Sequence, residues 1–157
     1  MAFGTLTRLS GRPNTPAAHA THPPLAVHSL LRHARTGGQH VGPIDPAHVQ
    51  KELDARLGRD VYLHLETTTG SYTALGPEKR TPVIAFVRNA SVRYERGLVT
   101  GEGPYRVGLK LESGWVYAQG LTDYTVTERG ELLLAGHDEE GNLRVGLQLS
   151  VQPFREE

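Results

Sequence analysis

Tyr105-Arg-Val-Gly-Leu-Lys-Leu-Glu-Ser-Gly-Trp-Val-Tyr-Ala-Gln-Gly120 is the stretch whose reading decides the fold. Tyr105, Val107, Leu109 and Leu111 alternate with Arg106, Gly108, Lys110 and Glu112, the period-two pattern of a strand with one face in a core. Ser113-Gly114 suits a two-residue hairpin turn. That turn sets Glu112 opposite Trp115, Leu111 opposite Val116 and Lys110 opposite Tyr117. Val116 and Ala118 then share the core face with Leu109 and Leu111. Trp115 and Tyr117 fall on the other face, beside Lys110 and Glu112. Two large aromatics on a charged face call either for cover, from a second layer or the lysine stem, or for a partner.

The same period runs outward in both directions. Val61, Leu63 and Leu65 alternate with Tyr62, His64 and Glu66. Pro82-Val-Ile-Ala-Phe-Val87 is apolar at every position, which predicts a central strand buried on both faces. Ser91 to Glu95 alternates again, Leu132–Ala135 is a short apolar run, and Leu143 to Val151 alternates after the turn Glu140-Gly141-Asn142. Roughly eight to ten short strands at this spacing predict a mainly β domain of coiled antiparallel sheets, barrel- or sandwich-like. One amphipathic helix precedes them. Asp45 is its N-cap and Pro46 its first residue. Ile44 and Val49 form a hydrophobic staple. Val49, Leu53 and Leu57 make an apolar stripe, Glu52 and Arg56 pair on the outer side, and Gly58 ends it.

Residues 1–43 read differently. They hold Arg8, Arg12, Arg32 and Arg35, five prolines and five histidines, and no acid. Their one apolar patch is too short to offset the entropy of ordering them, so a disordered N-terminal extension is expected, with the β domain spanning 44–157. The domain keeps 13 basic against 17 acidic residues, a net charge of −4. A negative surface is a poor match for phosphate backbones, so no nucleic-acid partner is expected. With no cysteine in the chain there is no disulfide framework and no thiolate chemistry. No apolar run approaches the ~18 residues of a membrane span. No membrane partner and a cytoplasmic location are the corresponding expectations.

The densest polar stretch is His64-Leu-Glu-Thr-Thr-Thr-Gly-Ser-Tyr72. His64 and Glu66 share one strand face, about 7 Å apart by strand rise. Thr68 and Tyr72 add hydroxyls, and Arg88, Asn89 and Arg106 are candidates for holding a carboxylate or phosphate. His137 lies in a polar setting of its own. His64, Glu66 and His137 together have the donor types of an open zinc or iron site, though their spacing does not bring them together; no metal or other cofactor is expected. Gly101-Glu-Gly-Pro-Tyr-Arg106 lacks the following helix of a phosphate loop and reads as a tight turn. No nucleophile elbow, P-loop or HExxH is present.

Asp60-Val-Tyr-Leu-His-Leu-Glu-Thr-Thr-Thr-Gly-Ser-Tyr72, Arg88-Asn-Ala-Ser-Val92, Gly101-Glu-Gly-Pro-Tyr-Arg-Val-Gly-Leu-Lys110, Gly114-Trp-Val-Tyr-Ala-Gln-Gly-Leu-Thr-Asp-Tyr-Thr-Val126 and Ala135-Gly-His137 resemble the YojF family, a small bacterial family of unknown function. The resemblance covers 44–157 and makes Val41 a candidate start. It implies a largely β fold with coiled, bifurcated sheets and supplies no catalytic residues. It also implies a neighbourhood, because YojF-type genes often lie beside one for a zinc-dependent deacetylase of the LmbE type in bacillithiol synthesis. The expectation is therefore a non-enzymatic accessory or binding protein for that deacetylase, contacting it through Trp115, Tyr117 and Lys110. The alternative is a small metal-dependent enzyme or sugar-ligand binder on the His64, Glu66, His137 face. Open sheet edges also allow a homodimer.

Overall fold

The computed structural model describes residues 41–68 and 83–154. Among them are eight strands and one α-helix. The strands are β1 (Gly42–Pro43), β2 (Asp60–Thr68), β3 (Val83–Thr100), β4 (Tyr105–Leu111), β5 (Trp115–Leu121), β6 (Asp123–Val126), β7 (Leu132–His137) and β8 (Leu143–Ser150), and α1 is Pro46–Asp54. All pairs are antiparallel, in the order β1-β6-β7-β8-β2-β3-β4-β5. The fold is mainly β, a single curled sheet with one short helix, as the alternation predicts.

The curl follows from chain connectivity. β5 ends the sheet on one side and β6 stands next to the other end, yet Thr122 alone joins them. The two ends must therefore meet, and they meet backbone to backbone. A Cβ added at Gly136 in β7 would stand 2.0 Å from the Gly120 carbonyl oxygen, so only glycine fits there. The long strand β3 supplies the bend. Its first half pairs with β2 and its second half, from Tyr94, pairs with β4, with a register shift between Tyr94 and Arg96. Sheet bulges of this kind increase local twist and let one strand serve two directions.

Inside the curl lie Val61, Leu63, Val107, Leu109, Leu121, Leu132, Leu134, Leu147 and Leu149, all essentially without exposure. Helix α1 closes one end of this core. Asp45 Oδ1 accepts from the N–H groups of Ala47 and His48, the expected cap. Val49 and Leu53 are buried. Leu57 lies beyond the last turn and is exposed, so the stripe ends one turn early. Gln50 donates to the Gly97 carbonyl at 2.8 Å and accepts from Val99 N–H at 3.1 Å, which satisfies a stretch of β3 edge. Tyr94 O–H donates to the Leu53 carbonyl at 2.6 Å, and burial pushes its phenol up to about 12.

Four expectations are corrected. Arg56 is not on the outside. It is buried, pairs with Glu52 at 2.7 Å and donates to the Gly130 carbonyl at 2.7 Å, tying the helix to the β6–β7 turn. Val41 to Pro43 belong to the fold, since β1 pairs with β6 and Val41 packs on Ala135 and Leu143. The β4–β5 register puts Lys110 opposite Trp115, Leu109 opposite Val116 and Gly108 opposite Tyr117. Residues 112–114 form the turn, closed by the Leu111 N–H donating to the Gly114 carbonyl, and because each pairing moves by two, every side chain keeps its predicted face. Finally, the apolar run ending at Val87 is not a doubly covered strand: Phe86 is 53% and Val87 43% exposed.

Candidate functional site

Where the ends of the sheet meet, the molecule opens into a cleft of about 860 Å³. Leu65, Thr67 and Thr68 line it from β2, Tyr117 to Gly120 from β5, and His137, Asp138, Arg144 and Val145 from the β7–β8 hairpin. The connector Thr122 reaches it too. His137 Nδ1 stands 3.0 Å from Asp123 Oδ2, and Thr122 O–H donates to the same oxygen at 2.6 Å. The His137 backbone N–H donates to Thr122 Oγ1 at 3.3 Å. A carboxylate beside Nδ1 favours a proton on that nitrogen and fixes the orientation of the ring. Burial works against ionisation of the Asp138 carboxyl, but hydrogen bonds from Asn142 outweigh it and hold the group below the usual carboxylate range. The cleft thus combines an apolar floor, hydroxyls, an oriented imidazole and an ionised carboxylate.

The outer face of β3–β5 carries a stack of four planar groups. Trp115 and Tyr117 lie parallel, 5.3 Å between centroids and 7° between planes. Arg96 covers the Trp115 ring at 5.5 Å and Arg106 the Tyr117 ring at 5.9 Å. Gly108 makes room for the arrangement, because a Cβ there would stand 2.8 Å from the Tyr117 ring. Trp115 is 37% and Tyr117 53% exposed, so no second layer covers them. The Lys110 ammonium lies 3.5 Å from Glu95 and donates to the Leu111 carbonyl at 3.0 Å.

A third arrangement occupies the sheet face of β2 and β8 that looks away from the core. His64 pairs with Gln148 and Glu66 with Gly146, so His64 and Glu66 share a face as their spacing requires. His64, Glu66 and Gln148 are all buried. Both His64 nitrogens and both Gln148 amide atoms are without hydrogen-bond partners; each such atom costs about 1–3 kcal/mol. Phe154 lies on the His64 ring, with 4.1 Å between centroids. Asn89 holds the Phe154 backbone through two hydrogen bonds of 2.9 Å. Burial, and after it the charge of Arg88, push the His64 imidazole down to about 4, so it is neutral at pH 7.

The residues singled out from the sequence therefore divide between three places. His64 and Asn89 meet at Phe154, Arg88 acts on His64 through its charge, and Glu66 shares the strand face of His64. Thr68 is buried, donates to the Leu143 carbonyl and lines the cleft with His137. Arg106 belongs to the aromatic stack and donates to Gln119 at 3.1 Å. Tyr72 lies outside the described residues. The His64, Glu66, His137 triad does not form. His64 aligns with Gln148 and Gln148 with Leu133, and His137 lies four residues further along β7, roughly 13 Å by strand rise alone. Among the described residues no cluster of three metal-binding side chains exists. Thr122, Asp123, Gln148 and Phe154 were not legible as site residues. Only Gln148 left a signal, as the one large polar side chain within the run Leu147 to Leu149.

Residues 43–154 match the family described as a protein of unknown function, DUF1806. The chain belongs to the DUF1806 family. It is 55% identical over 106 residues to the uncharacterized protein YojF of Bacillus subtilis (strain 168), covering 68% of this chain and 91% of that one. The crystal structure of Bacillus subtilis YojF superposes with a TM-score of 0.64 at 46% identity, covering 74% of this chain and 98% of the other. The family resemblance read from the motif strings is thus shown, and with it the β fold. DUF1806 assigns no activity, so the cleft and the two outer-face arrangements have to be read on their chemistry. No described helix is long and apolar enough to cross a membrane.

Proposed function

We propose that this DUF1806 protein is a non-catalytic accessory protein that binds a protein partner through the Arg96–Trp115–Tyr117–Arg106 stack. That stack carries the reading. Trp, Tyr and Arg are the side chains that dominate binding energy at interfaces, and here all four stand exposed on one face of β3–β5 without any role in the core. Their ring faces are already covered by guanidinium groups, so what remains for a partner is ring edge and N–H donors. The complementary surface is apolar with carboxylates around it. The partner the family resemblance points to is a zinc-dependent deacetylase of the LmbE type in bacillithiol synthesis, which would place this protein in the cytoplasm. Calorimetric titration of that deacetylase into the full chain should give saturable binding that weakens with salt. Trp115→Ala should weaken it by about 2–4 kcal/mol, the range of an interface hot spot. An absent complex, or one indifferent to Trp115→Ala, ends this reading.

One observation favours a second role for the same protein, the binding of a small hydroxylated ligand in the cleft. His137 is oriented by Asp123 beside an aromatic side chain and several hydroxyls, which matches the alternating apolar and polar faces of a sugar. Titration with N-acetylglucosamine, read by tyrosine fluorescence and repeated on His137→Ala, is the corresponding test; binding that the substitution leaves unchanged removes it.

A further inference from the structure

His64 and Gln148 face each other across the β2–β8 ladder. Both are at least nine-tenths buried, and neither side chain reaches a hydrogen-bond partner. A neutral imidazole offers one donor and one acceptor, and a carboxamide offers both as well. Folded proteins rarely leave such groups unanswered, and each case calls for an explanation. What lies on the imidazole is a phenyl ring, tilted 40° to it. It fills a flat slot without any of the polarity its floor demands.

The hold on that ring is local. The Phe154 N–H donates to Asn89 Oδ1, and the Phe154 carbonyl accepts from Asn89 Nδ2. Asn89 does this from the left-handed region, at φ 51, a conformation that asparagine tolerates better than other side-chain-bearing residues. Phe154 also lies outside the ladder, four residues beyond its last residue Ser150. Such a segment can lift without breaking the sheet.

We propose that Phe154 is a displaceable cover, and that the site beneath it takes a small flat ring with a donor and an acceptor side by side on its edge, the chemistry of a cyclic amide such as a pyrimidine base. The ligand ring takes the phenyl ring's place on the imidazole face of His64, and its N–H and C=O pair with the Gln148 carboxamide. A neutral ligand fits the floor of the site: the Gln148 carboxamide carries no charge, and the imidazole is uncharged near pH 7. Asn89 acts as the latch that sets how often the site is open. This site is separate from the aromatic stack and stands or falls independently of the partner reading.

The test is a titration of the full chain, labelled with ¹⁵N in histidine, with uracil and with toluene as the apolar control. Uracil should shift the His64 ring nitrogens saturably and toluene should not. Asn89→Ala should tighten uracil binding about tenfold, because the open state becomes more populated, and Gln148→Leu should abolish it. A His64 signal unmoved by uracil up to its solubility limit, in both the natural chain and Asn89→Ala, overturns the proposal. So does a shift that survives Gln148→Leu. If Asn89→Ala does not fold, Phe154→Ala replaces it: the ring-sized vacancy should prefer uracil to toluene, and the reverse preference is equally fatal.

Discussion

The first half of β3 and the pairing of β2 with β8 are neighbouring parts of one sheet with opposite relations between composition and burial. Phe86 and Val87 are apolar and stand in water; His64, Glu66, Gln148 and Ser150 are polar and stand dry. Position in the strand order explains the difference. β8 lies between β7 and β2 and is buried along its whole length except at Arg144. Residues 83–93 of β3 pair with β2 alone among the described residues, so half of this long strand is an edge. A strand earns burial from its neighbours on both sides and not from its own apolar content. Edges normally blunt themselves with charge. Here Arg88 does so, with its guanidinium 5.4 Å from the centroid of the Phe86 ring.

The contrast predicts a pH effect. An unfolded histidine takes up its proton near pH 6.5, whereas folded His64 resists until about 4. The folded pKa is depressed, so between those values the unfolded chain binds more protons and stability rises with pH. Relative to pH 7, lowering the pH to 5 should cost about 2 kcal/mol, at roughly 1.4 kcal/mol per pH unit. Urea denaturation at the two pH values measures it, and His64→Leu should remove most of the slope. A slope unchanged by His64→Leu would mean that the imidazole is not dry, and the difference between the two regions would shrink to one of shape.

Much of the fold was legible because alternation reports faces, and faces survive small errors. The β4–β5 hairpin shows why. Its turn was placed two residues too tight in pairing, yet Trp115 and Tyr117 still fell outward and Val116 and Ala118 inward, since a shift of two preserves side. Burial was less legible, because Ala85 to Val87 and Leu147 to Leu149 differ in strand order, which no local pattern records. The sites were least legible. His137 and Asp123 meet only because β6 and β7 pair, with Asp123 opposite Ala135. Phe154 reaches His64 only because the chain crosses back over β2 after β8. Neither event leaves a spacing in the sequence. The family resemblance named a fold and a neighbourhood but no residue at either place.

The sharpest probe of the two regions is one substitution made in both. Val→Thr exchanges a methyl for a hydroxyl at nearly constant volume. At Val61, in β2 and wholly buried in the core, the new hydroxyl has to find a partner or go without, at a cost of about 1–3 kcal/mol. At Val87, opposite Leu65 on the neighbouring strand and 43% exposed, water answers the hydroxyl and threonine suits a strand as well as valine does. The change in stability there should stay within about 0.5 kcal/mol. Denaturation midpoints of the two variants give the difference directly. A large loss at Val87 would show that its side chain is covered in solution, whether by a second molecule along the open edge or by the chain itself. The free edge of β3 would then be an interface rather than an exposed margin, and apolar composition would have been the better guide after all.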